Sequence, residues 1–411
     1  MSNEKPAILI IGCFDTKGEV FAHLRNEILK KGDRILMVNA GVLGSTTLFP
    51  VDVEADLLAK KGGTSLQDLR NKNDRALALS VMADGAAVLL HELYRKGSIK
   101  AAIGMGGGGG TYLALTAMQN LPLGFPKLCV STLATRDVSG LVGMKDIVLM
   151  PSVVDVAGMN SIIQPIIDQA AAAITAMAGT ESISKSPKKG SIAISMFGNT
   201  TACVNRCTEL LQNKGYEVMA FHANGVGGKA MEALVLEGCF DAVLDLTTTE
   251  LADELCGGIL TAGPRRLEAA VAMRLPLVVA PGCLDMVNFG TPDSVPKGYK
   301  SRHLYSWAPD VTLMRTNEEE NRQLGQIIAD KLNQAIAPVK LLWPHKGFSQ
   351  LDAPGGRFYR PDVNDALLVS LKNHLRKDIP VEQLDVNINE PPFADAAVTA
   401  LLYLLKKIGQ E

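Results

Sequence analysis

Short apolar runs, each followed by a longer amphipathic stretch, recur down this chain, and that alternation narrows the fold more than any other feature. In the first part the runs are AILIIG (7–12), RILMV (34–38), AAIG (101–104), KLCVS (127–131) and DIVLM (146–150). Helical patterns fill the intervals: one reaching Lys31, one from Asn73 to Lys96, one over 112–120 and an Ala/Ile-rich one over about 156–178. Strands joined by helices pair in parallel, and parallel strands covered on both faces read as unbroken apolar runs. The second part restarts the alternation with SIAISMF (191–197), YEVMAF (216–221), DAVLDL (241–246), LPLVVA (275–280), VTLMR (311–315) and VKLLW (339–343). Its helical patterns end at Lys214, lie near 229–237, and cover 317–336, 362–375 and 391–408. Between the parts, GTESISKSPKKG (179–190) has almost no large apolar side chain and reads as a linker. The expectation is an α/β protein of two Rossmann-like parallel-sheet domains, 1–180 and 191–411, joined by 181–190.

The length, 411 residues, exceeds what one core usually serves, which also favours two domains. The two parts align: ILIIGCFDTKGEVFAHLRNEILKKGDRILMVNAGV (8–42) lies over SIAISMFGNTTACVNRCTELLQNKGYEVMAFHANGV (191–226), with Lys31-Gly32 on Lys214-Gly215 and Asn39-Ala40 on His222-Ala223. Internal duplication is the simplest account, and the apolar pattern that any two such units share is the alternative. Because 41 basic and 43 acidic side chains leave a net charge of −2, no nucleic-acid partner is expected. The seven cysteines form no CxxC pair and the N-terminus has no signal-peptide pattern, so a cytoplasmic protein is expected. No apolar run approaches the roughly 20 residues of a membrane span.

AAIGMGGGGGT (101–111) places six glycines within seven positions, directly after an apolar run. A glycine-rich turn between strand and helix lets backbone N–H groups approach a phosphate, and the helix N-terminus adds partial positive charge. Gly106, Gly107, Gly108, Gly109 and Gly110 are therefore candidate nucleotide contacts, with Thr111 as cap or hydroxyl donor. The run satisfies GxGxxG, but an NAD site needs an acidic residue at the end of the next strand, where Ser131-Thr132 stand. No Lys-Ser/Thr follows the run, so it is no Walker A loop either. The turn after the first strand, from Gly12 to Gly18, offers Lys17 to phosphate and Asp15 or Thr16 to Mg²⁺, or one of the latter pair as a helix cap.

In the second part Gly225, Gly227, Gly228 and Lys229 form a second candidate anion cradle. His222 just before it is either a general acid or base or a plain strand-end residue. Thr248 and Glu250 end another strand, Thr248 as a candidate substrate contact and Glu250 as a catalytic carboxylate or a capping partner. Cys283 reads as inert, and Cys203 with Cys207 as core side chains, not zinc ligands. The polar stretch 344–359 reads as a surface excursion in which Arg357 is a candidate carboxylate clamp.

GCFDTKGE (12–19), NAGV (39–42), the glycine run with Thr111, STLAT (131–135), HANGVGGKAMEAL, LDLTTTELADEL and the LDMVNFGTP stretch stand in one order along the chain. Together they resemble the two-domain ATP-binding family typified by the tomato mosaic virus resistance protein, which has many uncharacterised bacterial members. The resemblance covers essentially the whole chain. It implies two Rossmann-like subdomains, a homodimer, and ATP with Mg²⁺ in the N-terminal one. Carried over by motif, it points to Gly12, Asp15, Thr16, Lys17, the glycines 106–110, Thr111, Ser131 and Thr132. The family loop carries a serine among its glycines where this chain has glycine throughout, so no hydroxyl contact is expected there. Two functions follow as expectations: an ATP-binding enzyme acting on a small acidic metabolite in the cleft between the domains, or a nucleotide-gated binding or scaffold protein whose dimer ATP stabilises.

Overall fold

A computed structural model describes residues 5–180 and 189–409, so most of the expected linker lies outside the described residues. The chain divides into two compact units, Met1–Ser184 and Lys185–Glu411. In the first, strands β1 (Ala7–Gly12), β2 (Ile35–Asn39), β3 (Ile99–Gly106), β4 (Lys127–Ser131) and β5 (Val148–Pro151) form one sheet in the order β2-β1-β3-β4-β5. Every pairing is parallel. All six residues of β1 are buried because helices cover both faces. Ile8 and Ile10 pack with the helices Phe14–Leu29 and Ile163–Ala178, while Leu9 and Ile11 pack with Arg75–Arg95 and Gly108–Gln119. A one-residue slip would exchange those faces, so the register is fixed by burial.

The helix Arg75–Arg95 differs from the sequence expectation, being long and apolar enough by length and composition to span a bilayer. It buries Met82, Ala83, Ala86, Leu89 and Leu90 in the first unit's core. Its Gly85 permits a close crossing, since a Cβ there would stand 1.9 Å from the carbonyl oxygen of Leu58 on the helix Ala55–Lys61.

In the second unit β6 (Ser191–Met196), β7 (Glu217–His222), β8 (Ala242–Thr247) and β9 (Leu277–Gly282) follow the same plan. The antiparallel strands β10 (Met286–Phe289), β11 (Leu304–Ala308) and β12 (Val311–Arg315) then intervene before β13 (Val339–Pro344) and β14 (Val381–Leu384). The parallel sheet runs β14-β13-β9-β8-β6-β7. Read from its β7 edge, the first five positions repeat the order of the first unit. Smaller marks repeat as well: Gly32 and Gly215 both have left-handed φ, at 85° and 90°. The Ala40 and Ala223 amides donate to the carbonyls of Gly12 and Met196, at 2.8 and 2.6 Å. These shared details support duplication over coincident patterning. VTLMR is β12 of the antiparallel insert, not a member of the parallel sheet as its apolar pattern suggested.

Replacing Gly85 by Ala sets a helix-propensity gain of roughly 1 kcal/mol against an overpacking cost of about 1–3 kcal/mol. Because the obstacle is a backbone carbonyl, the cost is expected to win. Chemical denaturation should show Gly85→Ala less stable than the parent, whereas Gly108→Ala, with nothing within 4 Å of its Cβ, should not be.

Candidate functional site

In a doubly wound sheet, chain connections leave in opposite directions at one point, and the carboxyl ends of the two strands there frame a crevice. With the order β2-β1-β3, that point lies between β1 and β3. A cavity of about 580 Å³ opens there, walled by the turn after β1, the loop after β2, the start of the helix Arg75–Arg95 and Gly107–Gly110.

None of the glycines 106–110 has positive φ, so backbone strain does not explain them. Space does, in two ways. A Cβ on Gly106 would stand 2.8 Å from the Gly110 Cα, and one on Gly110 would stand 3.3 Å from the Met105 carbonyl oxygen, so these two let the helix start seat against the strand. Gly108 faces open space with nothing within 4 Å. Gly107 caps the helix Gly108–Gln119 without a side-chain bond, and the first helical amide with a protein acceptor is Thr111, which donates to Gly107 O at 2.8 Å. Among the described residues, no acceptor meets the amides of Gly108, Gly109 and Gly110, which helix geometry leaves unpaired. They carry the positive end of the helix dipole into the cavity.

The other candidates divide into those that line the cavity and those the fold has used. Asp15 lines it: Oδ2 accepts from Leu43 N at 3.0 Å, while the buried Oδ1 has no partner. Gly41 makes room for this carboxylate, since its Cβ would lie 2.4 Å away. Buried Asn39 ties the loop down, accepting from Phe14 N and Gly41 N and donating to Gly44 O and Glu54. Thr16 is exposed on the wall. Lys17 also lines the cavity, but its ammonium already donates to Val156 O at 2.5 Å. Gly12 is a packing residue, because a Cβ would meet the Phe21 ring at 1.9 Å. Thr111 and Ser131 are both buried and spend their hydroxyls on each other at 2.6 Å. Ser131 and Thr132 line a second cavity of about 530 Å³ with Asp155, and Thr132 and Asp155 approach the Cβ position of Gly107. Arg70 and Arg75, which sequence reasoning missed, also line the first cavity. The only hint was Asn73-Asp74 as a helix start, and Asp74 does cap the helix by accepting from Ala76 N and Leu77 N.

The second unit closes the corresponding crevice with its own side chains. Glu250, fully buried, accepts from Gly225 N at 2.7 Å and Gly228 N at 3.1 Å, so the expected anion cradle already holds an anion. Gly228 is needed because its Cβ would collide with that carboxylate, and Gly227 because its Cβ would stand 1.9 Å from His222 O. Gly225 takes a left-handed φ of 86°. Glu250 also receives Arg266 Nε at 2.6 Å. The remaining guanidinium hydrogens of fully buried Arg266 go to Asp245, Glu232 and the Thr247 carbonyl. Burial raises the Glu232 carboxyl above its ordinary range, with Asp245 adding to the effect and Arg266 opposing it. Glu250 is therefore committed to the turn and to Arg266, nearer its capping alternative than its catalytic one. Thr248 is buried and donates to Ala280 O, so it is no ligand contact. His222 and Lys229 are exposed, the former edge-on to Phe197.

The stretch 344–359, expected on the surface, is instead anchored in the core at several positions while His345, Gln350 and Arg357 stay exposed. Phe348, Ser349, Asp352 and Phe358 are fully buried, and Asp352 receives Arg315 and Asn364. Arg357 lies over the Tyr305 ring at 4.4 Å instead of on a carboxylate. Cys283 is fully buried and its thiol is pushed well up by burial, as its inert reading requires.

Residues 6–182 match the model of the uncharacterised protein family UPF0261, N-terminal domain, and residues 189–405 match its C-terminal domain. A UPF0261 protein of Clostridium tetani (strain Massachusetts / E88) is 43% identical over 401 residues, covering 97% of this chain and 99% of that one. Another, of Rhizobium meliloti (strain 1021), is 40% identical over 96% of this chain and 98% of its own length. The ToMV resistance protein Tm-1(GCR237) of Solanum lycopersicum is 38% identical over 81% of this chain, which spans 45% of the tomato protein. The chain belongs to the UPF0261 family.

Removing the Glu250 carboxylate leaves buried Arg266 Nε and two amides unpaired, so Glu250→Ala should cost about 3–5 kcal/mol in denaturant unfolding. Unfolding unchanged in Glu250→Ala would overturn this structural role. Burial raises Asp253 to about 7, against hydrogen bonds from Asn288 and Leu260 that lower it. Between about pH 4 and 7 the folded chain then holds a proton the unfolded chain has released, so this group's contribution to stability falls as pH rises. Asp253→Asn can pair with a turned Asn288 amide, whose buried Oδ1 now lacks a partner. Melting curves should therefore show a shallower loss of stability from pH 5 to 8 in Asp253→Asn than in the parent.

Proposed function

With the family as premise, we propose that the first unit binds ATP, its phosphates seated on the amides of Gly108, Gly109 and Gly110 and its Mg²⁺ shared with Asp15. The observation that carries this reading is an uncapped helix start facing a cavity at the sheet's switch point. Anions favour such a place because unpaired N–H groups and the helix dipole act together. The volume, about 580 Å³, falls in the usual range for small-molecule sites. Asp15 suits Mg²⁺, which is commonly held by one or two carboxylates with phosphate and water completing the shell. Its Oδ1 is the buried oxygen without a protein donor. When bound, the ion would offset phosphate charge that Asp15 otherwise repels.

The resemblance adds a homodimer to this proposal, and the cysteine pattern a cytoplasmic setting. A second reading, in which ATP is held and not consumed, draws on the cavity wall. Burial, with help from Asp15, pushes the Cys13 thiol up to about 11, so no thiolate is on hand at neutral pH. Both carboxylates of the described wall have other roles, Asp74 as a helix cap and Asp15 on Leu43 N and, in this proposal, on Mg²⁺.

Isothermal titration of the full chain with ATP and Mg²⁺ should show saturable binding, weakened at least about tenfold in Gly108→Val. That side chain meets no protein atom within 4 Å of its Cβ, so it fills the cavity without breaking the fold. Undiminished binding in a folded Gly108→Val protein would reject the site. Chromatography of the same mixtures with a panel of carboxylic metabolites added separates the two readings: ADP, AMP or a modified metabolite supports an enzyme, and unchanged ATP supports a binding protein.

A further inference from the structure

Five charged side chains line the cavity of the first unit: Asp15, Lys17, Arg70, Asp74 and Arg75. Four have work within the protein. Asp74 caps its helix, Lys17 donates to Val156 O, Arg70 Nε donates to Val42 O at 2.6 Å, and Asp15 accepts from Leu43 N. Arg75 is exposed, and its guanidinium takes part in no hydrogen bond or ion pair among the described residues. Its Nη2 stands 3.7 Å from where a Cβ on Gly109 would be, beside the unpaired amides.

We infer that Arg75, not Lys17, is the cation that meets the ligand's phosphates at Gly108–Gly110. This inference rests on the ATP reading given above. A guanidinium has a planar fork of donors that matches two phosphate oxygens at once, and a charge-assisted pair of this kind is stronger than a neutral one. Arg75 is the first residue of its helix, directly after the Asp74 cap, so its backbone is fixed while its side chain is free to turn toward the anion. Leu69, Leu79, Met82 and Leu113 give the same cavity apolar lining, with Leu79 also close to the Gly109 Cβ position. That mixed lining suits an amphipathic ligand: an aromatic base against leucine and methionine side chains, and a charged tail between the guanidinium and the glycine amides. Arg75 then discriminates by phosphate count, favouring ATP and ADP over AMP and adenosine.

The test is titration of the full-length protein with ATP, adenosine and inorganic tripolyphosphate, using the parent, Arg75→Ala, Arg75→Lys and Lys17→Ala. Arg75→Ala should weaken ATP and tripolyphosphate by about tenfold to a hundredfold and leave adenosine unchanged, with Arg75→Lys recovering part of the loss. Lys17→Ala should stay within about threefold of the parent. ATP binding unchanged in Arg75→Ala overturns the assignment and leaves the nucleotide site standing. Equal losses for ATP and adenosine also overturn it, because Arg75 would then be shaping the cavity. If the parent binds tripolyphosphate through Arg75 but ignores ATP, the cation assignment survives and the nucleotide reading falls. If the parent binds neither, both fall.

Discussion

Backbone amides at the start of a helix have no partner within the helix, and the fold must answer them with a side chain, solvent or a ligand. The two halves of this protein answer differently. In the second, Glu250 enters the turn at Gly225–Gly228 and is itself locked by Arg266. In the first, Gly107 supplies no capping side chain and the amides of Gly108–Gly110 open into a cavity. Both halves share the same sheet order over five strands, and side-chain chemistry seals one crevice and leaves the other open.

The sealed crevice has a clear energetic logic. A buried arginine is costly unless all its hydrogens are met, and in Arg266 all five are, by three carboxylates and a carbonyl. Ser195 on β6 joins by donating to Asp245 on β8, so the network stitches neighbouring strands at the point where the chain's connections diverge. A crevice filled in this way holds the sheet together and excludes a substrate anion. The open crevice is held by contacts around its rim instead, among them Thr111 to Ser131, Asn39 to Phe14 and Glu54, and glycine against backbone. Those contacts fix its walls without occupying it.

Much of the fold could be read from the sequence because continuous burial writes itself as apolar runs. AILIIG, KLCVS and SIAISMF contain strands, and the repeated βα order predicted two parallel sheets. The antiparallel insert escaped, since a run such as VTLMR looks the same in either kind of sheet and its partners Met286–Phe289 and Leu304–Ala308 are short. The glycine run was legible as a turn at a strand end. The engagement of nearby side chains was not legible: Lys17 lines the cavity but donates to Val156, and Glu250 fills the second glycine turn. Such commitments depend on distances between residues far apart in the chain. Arg75 was missed for the same reason, because only the packing of its helix brings it to Gly109.

The central claim is that the amides of Gly108–Gly110 receive an anion from outside the protein, whereas those of Gly225 and Gly228 do not. Nuclear magnetic resonance of protein labelled with ¹⁵N-glycine, titrated with ATP and Mg²⁺, measures both sets in one spectrum. The account predicts saturable shifts at 108–110 and still signals at 225 and 228. Motion at 225 and 228 with none at 108–110 would contradict it.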